Sequence, residues 1–115
     1  MKIIRFDETE QEKSADGRFI YRTCNEPITE EGKNLVIIYV EIPEGVVEQE
    51  HYHEKVNEFI YFLTKAVSRV NSKEYSFKQN DILVLSPNDR HQIIAKEDKV
   101  RILVIKKALK DKKLV

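Results

Sequence analysis

Apolar runs of four to eight residues, cut by turn residues, succeed one another along the chain. LVIIYVEI (35–42) is almost unbroken in β-branched and aromatic side chains, the pattern of a strand covered on both faces. GRFIYRTC (17–24) follows Asp16-Gly17, a hairpin signal because glycine readily takes the positive φ that tight turns need. EFIYFL (58–63), AVSRVN (66–71), EYSFK (74–78), DILVLS (81–86), HQIIAK (91–96) and KVRILVIK (99–106) predict further strands. Between them stand Asn71-Ser72-Lys73, Gln79-Asn80, Pro87-Asn88-Asp89 and Glu97-Asp98, all rich in turn formers. Pro43-Glu44-Gly45 marks one more turn, after which VVEQEHYH (46–53) resumes in extended form. Many short strands at this spacing predict an all-β sandwich or barrel. Only ALKDKKLV, at the C-terminal end, reads as a helix, and a short one.

No period of solenoid length and no low-complexity linker divides the chain, so residues 1–115 are expected to form a single domain. Charge alters the picture mainly by exclusion. With 20 Lys and Arg against 20 Asp and Glu, nothing draws the chain towards nucleic acid or an anionic membrane. The acid-rich Asp7–Glu12 run and the lysines after 105 read as solvated ends. Cys24 is the sole cysteine, which rules out an internal disulfide and leaves no nucleophile signature. The apolar stretch in MKIIRFDETE is too short for a signal peptide, and the expected location is cytoplasmic.

Chemistry concentrates in HYHEKVNEF (51–59). In a strand His51 and His53 project to one side and Tyr52 to the other, so both imidazoles can reach one ion. Glu58 follows after EKVN, long enough for a tight connection that returns a carboxylate beside the pair. His91 opens a later strand, and in an antiparallel barrel that strand can face the same interior. Three neutral imidazoles and a carboxylate suit iron, manganese, nickel, cobalt, zinc or copper, and leave positions open on a six-coordinate ion.

These residues also carry a family pattern. Gly45, five residues, His51-Tyr52-His53, four residues and Glu58, with Lys65 in place of a closing glycine, resemble the first motif of the cupin superfamily. Asn80, five residues, Ser86-Pro87-Asn88, two residues, His91, three residues and Ala95 resemble its second motif, with Asn80 and Asn88 at glycine positions, Ser86 in place of a proline and Ala95 in place of an asparagine. Asparagine tolerates positive φ better than other non-glycine residues, so both are expected to keep their turns. The resemblance implies a double-stranded β-helix, the cupin jelly-roll barrel, with its core at about 35–105. It implies one divalent metal ion on His51, His53, Glu58 and His91.

Strand parity from those ligands puts Gln49, Ile60, Phe62 and Ile93 towards the ion, a mainly apolar pocket suited to a small organic ligand. Arg18, Tyr21, Arg22 and Tyr39 are candidates for the pocket mouth. For function, the resemblance implies a mononuclear metal-dependent enzyme acting on a sugar or small acid, of isomerase or lyase type. The alternatives are an iron-dependent dioxygenase and a non-catalytic module that binds a small molecule through its metal. Open sheet edges, together with the resemblance, predict a homodimer.

Overall fold

A computed structural model describes residues 1–115. Its strands are β1 (Gln11–Lys13), β2 (Phe19–Glu26), β3 (Leu35–Ile42), β4 (His51–His53), β5 (Glu58–Phe62) and β6 (Ala66–Val70). They continue as β7 (Lys73–Phe77), β8 (Ile82–Leu85), β9 (His91–Ile94), β10 (Val100–Lys107) and β11 (Lys112–Leu114). Two antiparallel sheets result, ordered β1-β2-β3-β10-β5-β8 and β11-β4-β9-β6-β7. The chain is all-β, its one helical element being the 3-10 turn Phe6–Glu8. No helix is long and apolar enough to cross a membrane.

Alternation explains what the sheets enclose. Ile38, Val40 and Ile42 of β3, Ile60 and Phe62 of β5, and Val100 and Ile102 of β10 face inward and meet Ile93 and Ala95. Register aligns them, Val40 opposite Ile102 and Phe62 opposite the same residue from the other side. The Phe62 ring stacks on Phe77 of the second sheet at 4.4 Å. A side chain so enclosed contributes on the order of 1.5–3 kcal/mol through burial.

The outer face of β3 is also covered, as its unbroken apolar run predicts. Phe6 and Tyr21 pack on Tyr39 with ring centroids 4.9 and 5.4 Å away. Arg101 Nε donates to the Tyr39 hydroxyl at 2.7 Å. The cover comes from this chain itself, and Tyr21 and Tyr39 lie on that outer face rather than at the pocket mouth.

Asn80 (φ 74) and Asn88 (φ 72) adopt the left-handed conformation expected at their glycine positions. Asn71 (φ 49) and Ser72 (φ 68) make the two-residue turn between β6 and β7. Lys65 is outside the left-handed region, so the turn after β5 closes without a glycine.

Two expectations fail. The C-terminal segment is not a helix: Lys112, Lys113 and Leu114 pair with His53, Tyr52 and His51. A helix this short is marginal in water, whereas β4 offers an edge whose backbone groups need partners. The extended reading of 46–53 holds only in part, since Val47 makes an isolated bridge to Ile94 and residues 48–50 lie outside any strand.

Candidate metal centre

The two sheets contribute jointly to one cluster. His51 and His53 come from β4, and His91, the first residue of β9, is the register partner of His51. Glu58 opens β5 in the opposite sheet, because residues 54–57 carry the chain across. All four side chains are buried, and one ligand atom from each lies within 4.8 Å of the others.

Each imidazole is held from behind. His51 Nδ1 is 2.9 Å from the Gln49 carbonyl, His91 Nδ1 is 2.9 Å from the Asp89 carbonyl, and His53 Nδ1 is 2.9 Å from Asp111 Oδ1. Carbonyl and carboxylate oxygens only accept, so each Nδ1 donates its proton, and a ring that is neutral then has its Nε2 lone pair free for the interior. Asp111 also accepts from the backbone N–H of Lys55 at 2.9 Å and of Val56 at 3.0 Å. One buried carboxylate therefore orients His53 and fixes the loop that delivers Glu58.

The Nε2 atoms of His53 and His91 meet at Glu58. His53 Nε2 is 2.9 Å from Oε2 and His91 Nε2 is 3.1 Å from Oε1. His53 Nε2 nevertheless has no hydrogen-bond partner, because its proton already sits on Nδ1 and the oxygen lies out of hydrogen-bonding alignment. A buried lone pair facing a carboxylate is repulsive unless a cation lies between them. The orphaned atom and the donor set both fit a transition-metal ion.

Electrostatics fit as well. Burial, reinforced by the nearby His91 charge, pushes His51 down to about 3, so its ring is neutral and ready to ligate. Burial alone would raise Glu58, but its contacts with His53 and His91 outweigh that and hold it well below the usual carboxylate range. Burial alone would lower His91, yet the hydrogen bond with Glu58 raises it. An ion held by these residues would take the place of the proton that His91 shares with Glu58.

Beside the cluster lies a cavity of about 120 Å³ lined by Arg18, Glu48, Ile60, Lys106 and Lys112, among others. It shares Arg22, Ile38, Lys106 and Lys112 with a wider groove of about 590 Å³. Ile60 reaches the cavity. Phe62 and Ile93 share its inward face but are fully buried in the core away from the lining. Gln49 does not face the ion: it is exposed, and only its backbone participates, its N–H donating to Asp16 Oδ2 at 2.8 Å.

The reason is the irregular stretch 48–50, which breaks strict alternation and turns Glu48 inward instead. Glu48 Oε2 accepts from Arg18 Nη1 at 2.7 Å, and Oε1 accepts from the Ile93 N–H at 3.1 Å. Arg18 Nε donates to Asp16 at 2.9 Å. Burial raises Glu48 even so, the Arg18 charge only partly opposing it. Neither Glu48 nor Asp111 was expected at the site. Parity counted back from His51 placed Glu48 outside, and Asp111 stands alone in a lysine-rich run that reads as solvated.

No protein-family model matches the sequence, and no curated protein does. Solved structures resemble the whole fold. KdgF from Halomonas sp. superposes with a TM-score of 0.79 at 16% identity, over 95% of this chain and 96% of that one. A predicted oxalate decarboxylase from Thermotoga maritima gives 0.79 at 17% identity, over 94% and 100%. A sugar phosphate isomerase of the cupin superfamily from Silicibacter pomeroyi gives 0.74 at 17% identity, over 94% and 76%. The likeness establishes the fold as the cupin barrel that the two motifs imply.

Proposed function

We propose that this cupin barrel holds one divalent transition-metal ion on His51, His53, Glu58 and His91. The chain is then a mononuclear metal-dependent enzyme acting on a small polar organic molecule by a non-redox isomerase or lyase step. One observation carries the reading: three buried imidazoles, each committed at Nδ1, and one buried carboxylate each bring a ligand atom within 4.8 Å of the others. When bound, the ion supplies Lewis-acid stabilisation of charge developing on a substrate oxygen.

The chain's own residues do the positioning. Asp111 and the Gln49 and Asp89 carbonyls keep the ligand tautomers, while Ile60 and Ile102 line the cavity with apolar surface and limit water. The donor set suits iron, manganese, nickel, cobalt, zinc or copper. The resemblance to a sugar phosphate isomerase and a predicted oxalate decarboxylase supports the non-redox class at the level of fold. Sheets drawing on residues from Gln11 to Leu114 support reading 1–115 as one domain.

Elemental analysis followed by turnover assays on sugars and small acids, with each metal in air and under anaerobic conditions, tests the proposal. Oxygen-independent turnover that Glu58→Gln abolishes is expected. A requirement for both iron and oxygen would assign a dioxygenase instead. Ligand binding without turnover in either protein would assign a binding module.

A further inference from the structure

The charges around the cavity are lopsided in a way that metal binding does not account for. Arg18, Arg22, Lys106 and Lys112 line it, against Glu48 and Glu58. Both carboxylates are already engaged, Glu48 by Arg18 and the Ile93 amide, Glu58 by the imidazoles. Arg22 is occupied by Glu12 at 3.2 Å, out on the exposed side. Lys106 and Lys112 have no acidic partner within ion-pair distance, although Lys106 is half-buried and both border the cavity and the groove. The hydrogen bonds of Arg18 run through Nε and Nη1, which leaves Nη2 on a buried guanidinium without a protein acceptor.

Lys106 and Lys112 come from different strands, β10 in one sheet and β11 in the other. Both line the cavity where it continues into the groove, which adds Lys110. A divalent ion bound by one carboxylate adds further positive charge to the same space. Lys106 and Lys112, the two cations without counter-charge, repel each other, and an anion between them relieves that repulsion.

We propose that the ligand of this site is an anion, a small molecule whose carboxylate or phosphate group is bound by Lys106 and Lys112 beside Arg18. The proposal deepens, and rests on, the reading of the cavity as a substrate site beside a metal ion. The inner cavity, at about 120 Å³, is much smaller than the groove of about 590 Å³, so a compact head enters it. The remainder of the molecule lies along the basic groove of Arg22, Lys106, Lys110 and Lys112.

Calorimetric titration of the full chain with malonate, inorganic phosphate and the neutral analogue malonamide tests this, with metal content measured on every sample. At least one anion is expected to bind, and malonamide is not. Lys106→Gln and Lys112→Gln are each expected to weaken anion affinity about tenfold, as loss of a charged hydrogen bond does, while metal content is unchanged. Tighter binding of malonate assigns a carboxylate head, and tighter binding of phosphate assigns a phosphate ester. Equal binding of malonamide, or anion affinity unaltered in both variants, overturns the proposal. Lysine-dependent anion binding in protein devoid of metal would uphold it and sink the metal reading, so the two failures are distinct.

Discussion

Asp111→Asn isolates the role of a residue outside the ligand set. In the native protein Oδ2 accepts two backbone N–H groups and Oδ1 accepts the His53 Nδ1 proton. An asparagine has one oxygen. The amides of Lys55 and Val56 can only donate, so they claim that oxygen and place the NH2 against His53 Nδ1. That ring nitrogen must then accept, which moves its proton to Nε2 and removes the lone pair meant for the ion. Losing an outer hydrogen-bond partner of a ligand commonly costs 10–100-fold in metal affinity, and inverting the tautomer puts this variant at about 100-fold or beyond. The fold is expected to survive, because both loop amides keep an acceptor. Asp111→Ala, in contrast, strands two buried donors, His53 Nδ1 and the Val56 N–H, at about 1–3 kcal/mol each, a large share of a typical total stability of about 5–15 kcal/mol. Chelator competition reads the metal affinity, and melting of metal-stripped protein reads the fold. A folded Asp111→Asn protein that binds metal within about threefold of the native affinity would refute the tautomer argument.

Above pH 6.5, acidity should act oppositely on the stripped and loaded proteins. The raised His91 pKa contributes stability that is fully present below its unfolded value of 6.5 and lost as pH rises through the folded pKa. His51, pushed down to about 3, is neutral in folded and unfolded chains alike above 6.5, so there the metal-stripped protein melts lower as pH rises. Metal affinity climbs over the same range by up to about tenfold per pH unit as one proton is displaced, measurable by calorimetry in buffers of different ionisation enthalpy. Arg18→Ala leaves Glu48 buried without its partner and should cost about 3–5 kcal/mol at neutral pH by urea unfolding. The loss should shrink in acid, because burial already raises Glu48 and lets it take up a proton. For the expected homodimer, Phe59, Ile82 and Val84 form an exposed apolar patch where β5 pairs with the edge strand β8. Val84→Lys should shift sedimentation from dimer to monomer, and an unchanged dimer would remove this patch from the interface.

Parity in the sequence revealed facing but not depth. His51 and His53 share a side because β4 is a true strand, and the four residues after His53 return Glu58 to the same interior. Phe62 and Ile93 face inward but lie in a deeper layer than the cavity, a distance that alternation cannot express. Gln49 was misplaced because three non-strand residues slip the phase, exchanging it for Glu48. Asp111 left no trace, since a single acid among lysines looks like a solvated tail until that tail is seen to pair with β4. Asn80 and Asn88 were legible as turns because the demand for positive φ is local, and local demands are what a sequence displays most directly.

At the ligand end of the barrel, β4 meets β9 through one register pair, His51 with His91, and the residues just before β4 add the Val47–Ile94 bridge and the hydrogen bonds between Glu48 and Ile93. Across the gap, Glu58 belongs to the other layer. An ion gripped from both sides would act there as a rivet, so that parting the layers and letting the ion escape become the same motion. The speed with which excess chelator strips the protein would then be a clock for the breathing of this mouth.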